Sequence, residues 1–262
     1  MAPSVEAQQH HDELFGDQTS TLARTDPELV EHFDEWAFGD VQRDAPLEPR
    51  TRTLVQLAAL VACGALGEFR VLARAALRVG VTPVELKEVV YQAVPYVGMG
   101  RVFDYLHATN EVLFEHGVEL PLPGQSTTTR ADRAARGLAV QQQIVGADTV
   151  DTMYANAPTD EQHVQRYLSA NCFGDHYTRG GIDVPTRELL TLAMRVALGG
   201  ADPQVAGHVA ANLRVGNDRA TLVTVLTQLL PYVGYPRTLN ALRALDSVAP
   251  AAPTTPTTSR ED

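Results

Sequence analysis

The chain has 262 residues, of which 44% are hydrophobic and 20% charged, and 21 Lys and Arg face 32 Asp and Glu for a formal net charge of −11. That acidity argues against a nucleic-acid backbone or an anionic membrane as the main partner, although a small anion can still be held where cations gather locally. The longest apolar run, Leu54 to Leu66, contains Gln56 and is too short for a bilayer, and no charged-then-apolar signal opens the chain, so a soluble cytoplasmic protein is expected.

Strand signals are scarce and helix signals strong along the whole chain. His10 and His11 fall in an N-terminal helix or tail, without a His-x-x-x-His or clustered-carboxylate pattern, so no metal is expected. The run Leu54 to Leu66 reads as an apolar helix that buries Cys63. Thr82-Pro83-Val84-Glu85 is a capping box with proline at the first helical position, and it opens a helix whose Leu86, Val89, Val90, Ala93 and Val94 form an apolar stripe. Pro95 is expected to end or kink that helix. Pro121 to Thr129 reads as linker. Asp183 is an N-cap candidate for a helix carrying Glu188, Leu189, Leu190, Leu192 and Ala193. Asp202-Pro203 opens another helix, with Val205, Val209 and Leu213 on one face and Gly216 at a left-handed C-terminal position. The tail from Ala249, rich in Pro, Ala and Thr, reads as disordered.

The chain also repeats itself. Leu77-Arg78-Val79-Gly80 and Pro95-Tyr96-Val97-Gly98 return as Leu213-Arg214-Val215-Gly216 and Pro231-Tyr232-Val233-Gly234, with Arg101 and Arg237 following in the same place. Phe38-Gly39-Asp40 answers Phe173-Gly174-Asp175, one residue out of step with the later blocks. This predicts an all-α protein of two helical repeats, residues 8–120 and 135–248, joined by a linker at 121–134 and followed by a tail at 249–262. Each repeat is expected to hold five or six helices and to bury its apolar face against the other.

Arg187-Glu188-Leu189, His208, Gly216 and Tyr232-Val233-Gly234-Tyr235-Pro236 together resemble the carboxymuconolactone decarboxylase family, which includes the alkylhydroperoxidase D-like proteins. A weaker version in the first half comprises Arg52, Gly80, Thr82 to Leu86, Glu88 and Tyr96-Val97-Gly98. The resemblance implies an alkylhydroperoxidase D-like fold in two tandem repeats related by a pseudo-two-fold, and assembly as a homotrimer. The peroxidase branch of the family carries a Cys-x-x-Cys before the histidine. The matching positions here are Ala201 and Gln204, and Ala65 and Glu68 in the first half, so thiol-based peroxide reduction is not expected. Thr53 and Leu72 stand in the first half where the second has Glu188 and His208, which marks the first repeat as degenerate and the second as the seat of a site.

His208 is the candidate general acid or base, with Glu188 as its orienting partner. A partly buried histidine bonded to a carbonyl and a glutamate favoured at a helix start are the bland alternatives. Phe173 to Gly181 gathers His176, Tyr177 and Arg179, and Arg179 is suited to a substrate carboxylate. Tyr232 is a further candidate for substrate contact, although packing explains a tyrosine in a repeated block as well, and Tyr235 and Pro236 are expected to line the second-half pocket. The family's reaction implies a cofactor-independent lyase, decarboxylase or isomerase acting on a small carboxylated lactone or related ring compound. Another biosynthetic enzyme on the same fold, or a non-catalytic ligand-binding or assembly protein, remains open.

Overall fold

A computed structural model describes residues 3–251; most of the expected tail lies outside them. Every regular element among the described residues is helical. The first half comprises α1 (Val5–Phe15), α2 (Pro27–Asp34), α3 (Val41–Asp44), α4 (Pro49–Cys63), α5 (Leu66–Arg78), α6 (Pro83–Val97) and α7 (Met99–Glu115). The second comprises α8 (Arg133–Val145), α9 (Ala147–Asn156), α10 (Gln162–Tyr167), α11 (Val184–Leu198), α12 (Asp202–Arg214), α13 (Arg219–Val233) and α14 (Tyr235–Val248). That is more than five or six helices a half, because π-helical segments, Glu35–Asp40 and Leu168–Tyr177, interrupt one helical path in each. Such widened turns rest on tertiary contacts and have no signature in hydrophobic periodicity.

Local chemistry sets the helix starts. Thr82 and Glu85 form the reciprocal capping box, and Asp183, Asp218 and Glu48 accept from the backbone N–H three residues on. Pro95 does not end α6, which runs on to Val97 and stops at Gly98 (φ 81°). Pro231 is likewise kept inside α13. So close to a helix C-terminus, a proline removes one N–H without breaking a long ladder.

The two halves repeat the same helix order, α4–α7 and α11–α14, as a tandem pair related by a pseudo-two-fold. The one-residue step in the sequence repeat lies in a turn: two residues separate α4 from α5, and three separate α11 from α12. The equivalent helices α4 and α11 pack against one another at the centre and are buried along most of their length. Around them each half lends a helix to the other, α6 packing on α11 and α13 on α4. One apolar core, from Leu54 and Leu57 through Leu190 and Met194 to Leu226 and Leu229, therefore spans both repeats.

The glycine of the second Phe-Gly-Asp copy has a packing cause, whereas a Cβ on Gly39 in the first copy would meet only the Glu35 carboxylate at 3.1 Å and the Ala7 methyl at 3.3 Å. α8 crosses the second π-helical segment so closely that a Cβ on Gly174 would stand 2.2 Å from the carbonyl oxygen of Arg133, and one on Gly137 2.0 Å from that of Ser169. The linker is also fastened to this region. Gly180 N–H donates to the Gln125 carbonyl at 2.9 Å, and the Thr127 and Thr128 hydroxyls donate to the carbonyls of Thr178 and Gly174 at 2.6 and 2.9 Å.

Candidate active site

α11 supplies the centre of the site. Glu188, Thr191 and Arg195 fall at positions i, i+3 and i+7, and so share one face of the helix. Glu188 is fully buried, and His208 from α12 keeps 17% of its side chain exposed. His208 Nδ1 lies 3.0 Å from Glu188 Oε2. With the carboxylate accepting from Nδ1–H, the free imidazole valence is Nε2, which makes no hydrogen bond within the described residues. Asn212, one turn further along α12, donates to the carbonyls of Glu188 and His208 at 3.1 and 2.8 Å and so fixes α12 against α11.

The second carboxylate oxygen is held from the π-helical segment and from the other repeat. Tyr177 donates to Glu188 Oε1 at 2.5 Å and lies 2.9 Å from the Thr191 hydroxyl. Tyr96, on α6 of the first repeat, donates to the Tyr177 hydroxyl at 3.0 Å, and the Cys172 thiol donates to Tyr96 at 3.6 Å. The donors thus run in one direction, Cys172 to Tyr96 to Tyr177 to Glu188. Burial, reinforced by the neighbouring Glu188, pushes the Tyr96 and Tyr177 hydroxyls well above the ordinary tyrosine range. Burial also pushes the Cys172 thiol up to about 11. At neutral pH these three groups are therefore uncharged donors.

Tyr96 also meets the edge of the His208 ring, with centroids 5.9 Å apart and planes at 79°. The Arg195 guanidinium lies 4.9 Å from the Tyr96 ring centre. Arg195 makes no ion pair among the described residues, and its buried Nε has no hydrogen-bond partner. The site therefore holds an imidazole backed by a buried carboxylate, a cation without a counter-charge, and a chain of neutral hydroxyl donors.

The residues expected from sequence divide into two groups. His208, Glu188 and Tyr177 meet in this site. Arg179 stands apart from His208, its Nε and Nη2 bonded to Glu88 of α6 at 2.8–3.0 Å. Arg187 shares the same buried carboxylate at 2.8 Å. His176 faces this arginine cluster, where burial and the Arg179 charge lower its basicity, and its Nδ1 has no partner.

Tyr232 does not reach His208. It packs edge-on against Phe33 at 6.2 Å, in the first half, where burial raises its hydroxyl. Tyr235 likewise stacks on Trp36. The cause is the exchange of α6 and α13 between halves, which sends Tyr96 to the second-half site and Tyr232 to the first. Arg195 and Tyr96 were not among the residues expected from sequence. The i+7 spacing from Glu188 was available as a signal for Arg195, whereas nothing local marks Tyr96.

The equivalent place in the first half has different chemistry. Leu72 replaces His208 and is fully buried, and Thr53 replaces Glu188 with its hydroxyl turned onto the Pro49 and Arg50 carbonyls at 3.0 and 3.1 Å. Gln42, Gln56 and Gln228 occupy the places of Tyr177, Thr191 and Gln92 and bond to one another and to the Ala45 carbonyl. Neutral amides and an apolar side chain fill the space that holds ionisable groups in the second half.

Comparison with known proteins agrees with this organisation. The model of the carboxymuconolactone decarboxylase family matches the chain twice, at residues 27–111 and 162–247. A 4-carboxymuconolactone decarboxylase of Acinetobacter baylyi is 35% identical over 104 residues, which is 40% of this chain and 77% of that one. The fold resembles a crystal structure from Burkholderia xenovorans, provisionally named as a gamma-carboxymuconolactone decarboxylase subunit. Its TM-score is 0.54 at 22% identity, and the match covers 94% of this chain and 98% of the other. With two matches that together cover more than half of its length, the chain belongs to the carboxymuconolactone decarboxylase family.

Proposed function

We propose that the protein is a cofactor-independent decarboxylase, or a closely related lyase or isomerase, acting on a small carboxylated lactone with His208 as its acid and base. The observation that carries this reading is the 3.0 Å contact between His208 Nδ1 and the fully buried Glu188, which orients the ring and leaves Nε2 free for a substrate. In this reading Arg195, rather than the engaged Arg179, receives a substrate carboxylate. One carboxyl group leaves as carbon dioxide, and the electron pair of the broken C–C bond passes into the conjugated lactone carbonyl. The substrate is its own electron sink, so no cofactor is required. Arg195 stabilises the developing enolate charge, and Nε2–H of the protonated His208 delivers its proton to carbon. Water then restores the proton to His208.

The test is incubation with 4-carboxymuconolactone and related carboxylated lactones in deuterium oxide. The reading predicts release of carbon dioxide with one deuteron delivered to a carbon of the product. Absence of both with every lactone offered contradicts it.

Assembly as a trimer belongs to the same proposal. Met99 and Phe103 on α7, and their equivalents Tyr235 and Leu239 on α14, are exposed apolar side chains repeated by the pseudo-two-fold, and such faces favour association. Sedimentation at micromolar concentration is expected to give three chains per particle; a monomer contradicts this part.

A further inference from the structure

A second cationic position lies outside the His208 site. The linker around Pro121 and Pro123 roofs a cavity of about 330 Å³ against α6 and α7, and its polar lining includes Lys87, Glu88, Tyr91, Asn110 and Arg179. This volume falls at the lower end of the range of small-molecule sites. Its charges do not balance. Glu88 is 1% exposed and carries both Arg179 and Arg187, so a single carboxylate faces two guanidinium groups. Lys87 is buried to 9% exposure, and its ammonium bonds to the neutral Asn110 amide and makes no ion pair with a carboxylate among the described residues. Burying an ammonium without a counter-charge is unfavourable unless an anion joins it.

The donors left over define what fits. Arg179 spends Nε and Nη2 on Glu88, while Nη1 has no hydrogen-bond partner among the described residues. Lys87 Nζ and Arg179 both stand over the Tyr91 ring, at 5.9 and 5.0 Å from its centre. Two cationic donors that flank an aromatic face suit the two oxygens of one carboxylate. They are few for a phosphate dianion, which calls for a larger set of N–H donors. The remaining wall is mostly apolar, with Val84, Leu120, Pro121, Leu122 and Pro123, and adds one neutral polar side chain, Gln125.

We propose that this cavity binds a small organic carboxylate, its oxygens between Lys87 Nζ and Arg179 Nη1 and its hydrocarbon body against Tyr91 and the linker prolines. The site contains none of the groups around His208, and the proposal does not depend on the catalytic reading.

Calorimetric titration with benzoate, against inorganic phosphate as a comparison, tests it in an Arg195→Gln background that removes the unpaired cation of the His208 site. One benzoate per chain is expected to bind in that background. Adding Lys87→Gln is expected to weaken binding about 10- to 100-fold, the effect of losing one charged hydrogen bond. Asn110→Asp, which places a carboxylate beside Lys87, should abolish binding while raising the melting temperature, and it carries the test if Lys87→Gln does not fold. Failure of benzoate to bind, an unchanged Kd on adding Lys87→Gln, or phosphate binding as tightly as benzoate overturns the proposal.

Discussion

Tyr96 and Tyr177 come from different repeats and share a 3.0 Å hydrogen bond between their hydroxyls, immediately above the buried carboxylate of Glu188. This contact ties the first repeat to the site of the second. It makes the orientation of His208 depend on both halves, since Tyr177 holds one Glu188 oxygen and His208 the other.

Tyr177→Phe removes the donor to Glu188 and leaves a buried oxygen unpaired, while Thr191 keeps its bond from Gln92 at 3.3 Å. The expected destabilisation is about 1–3 kcal/mol by denaturant melting. Tyr96→Phe, which removes a bond between two neutral hydroxyls and the weak bond from the Cys172 thiol but leaves both Glu188 oxygens paired, is expected to have the smaller effect. A larger loss in Tyr96→Phe would contradict the direction of donation along the chain.

The same hydroxyls and the Cys172 thiol predict a pH dependence. All three have folded-state pKa values raised above the unfolded ones, which are 9.0 for the thiol and 10.0 for the tyrosines. Their contribution to stability is therefore complete below about pH 9 and is lost as the pH rises, because the unfolded chain releases protons that the folded one retains. The melting temperature should fall steadily above about pH 9, and Tyr96→Phe should flatten the slope. At pH 8 iodoacetamide should label the partly exposed Cys63 and spare the buried Cys172. Fast labelling of Cys172 would show a thiolate where a thiol is expected.

Two glycines predict opposite signs. Gly174→Ala drives a Cβ to 2.2 Å from the Arg133 carbonyl oxygen, a backbone atom that cannot swing aside, so α8 must move. The loss should be at least about 1–3 kcal/mol. Gly207→Ala, inside α12 with nothing within 4 Å of the new Cβ, should gain roughly 0.5–1 kcal/mol from helix propensity. Thermal melts of the two variants compare these signs directly.

Much of this architecture is legible in the sequence because it is local. The capping box at Thr82 and Glu85, the N-cap at Asp183 and the duplicated Pro-Tyr-Val-Gly block mark helices and halves from residue types alone. The contrast between Leu72 and His208 points to the second half for the same reason. What is not legible depends on distant contacts. The crossing of α6 and α13 decides which tyrosine meets His208. The capture of Arg179 by Glu88, 91 residues away in sequence, takes that arginine out of reach of His208. The π-helical segment that aims Tyr177 at Glu188 has no periodic signature.

The measurement that bears most directly on the account is carbon dioxide release from a carboxylated lactone, taken together with melting temperature, for His208→Ala and Leu72→Ala. His208 is partly exposed and Leu72 fully buried at equivalent positions. His208→Ala is predicted to lose turnover by about 10²–10⁴-fold, with a stability loss no larger than about 1–3 kcal/mol, the cost of leaving Glu188 Oε2 unpaired. Leu72→Ala is predicted to lose about 2–5 kcal/mol of stability while its folded fraction turns over normally. Full activity in His208→Ala, or loss of turnover in a well-folded Leu72→Ala, would contradict the assignment of the active site to the second repeat.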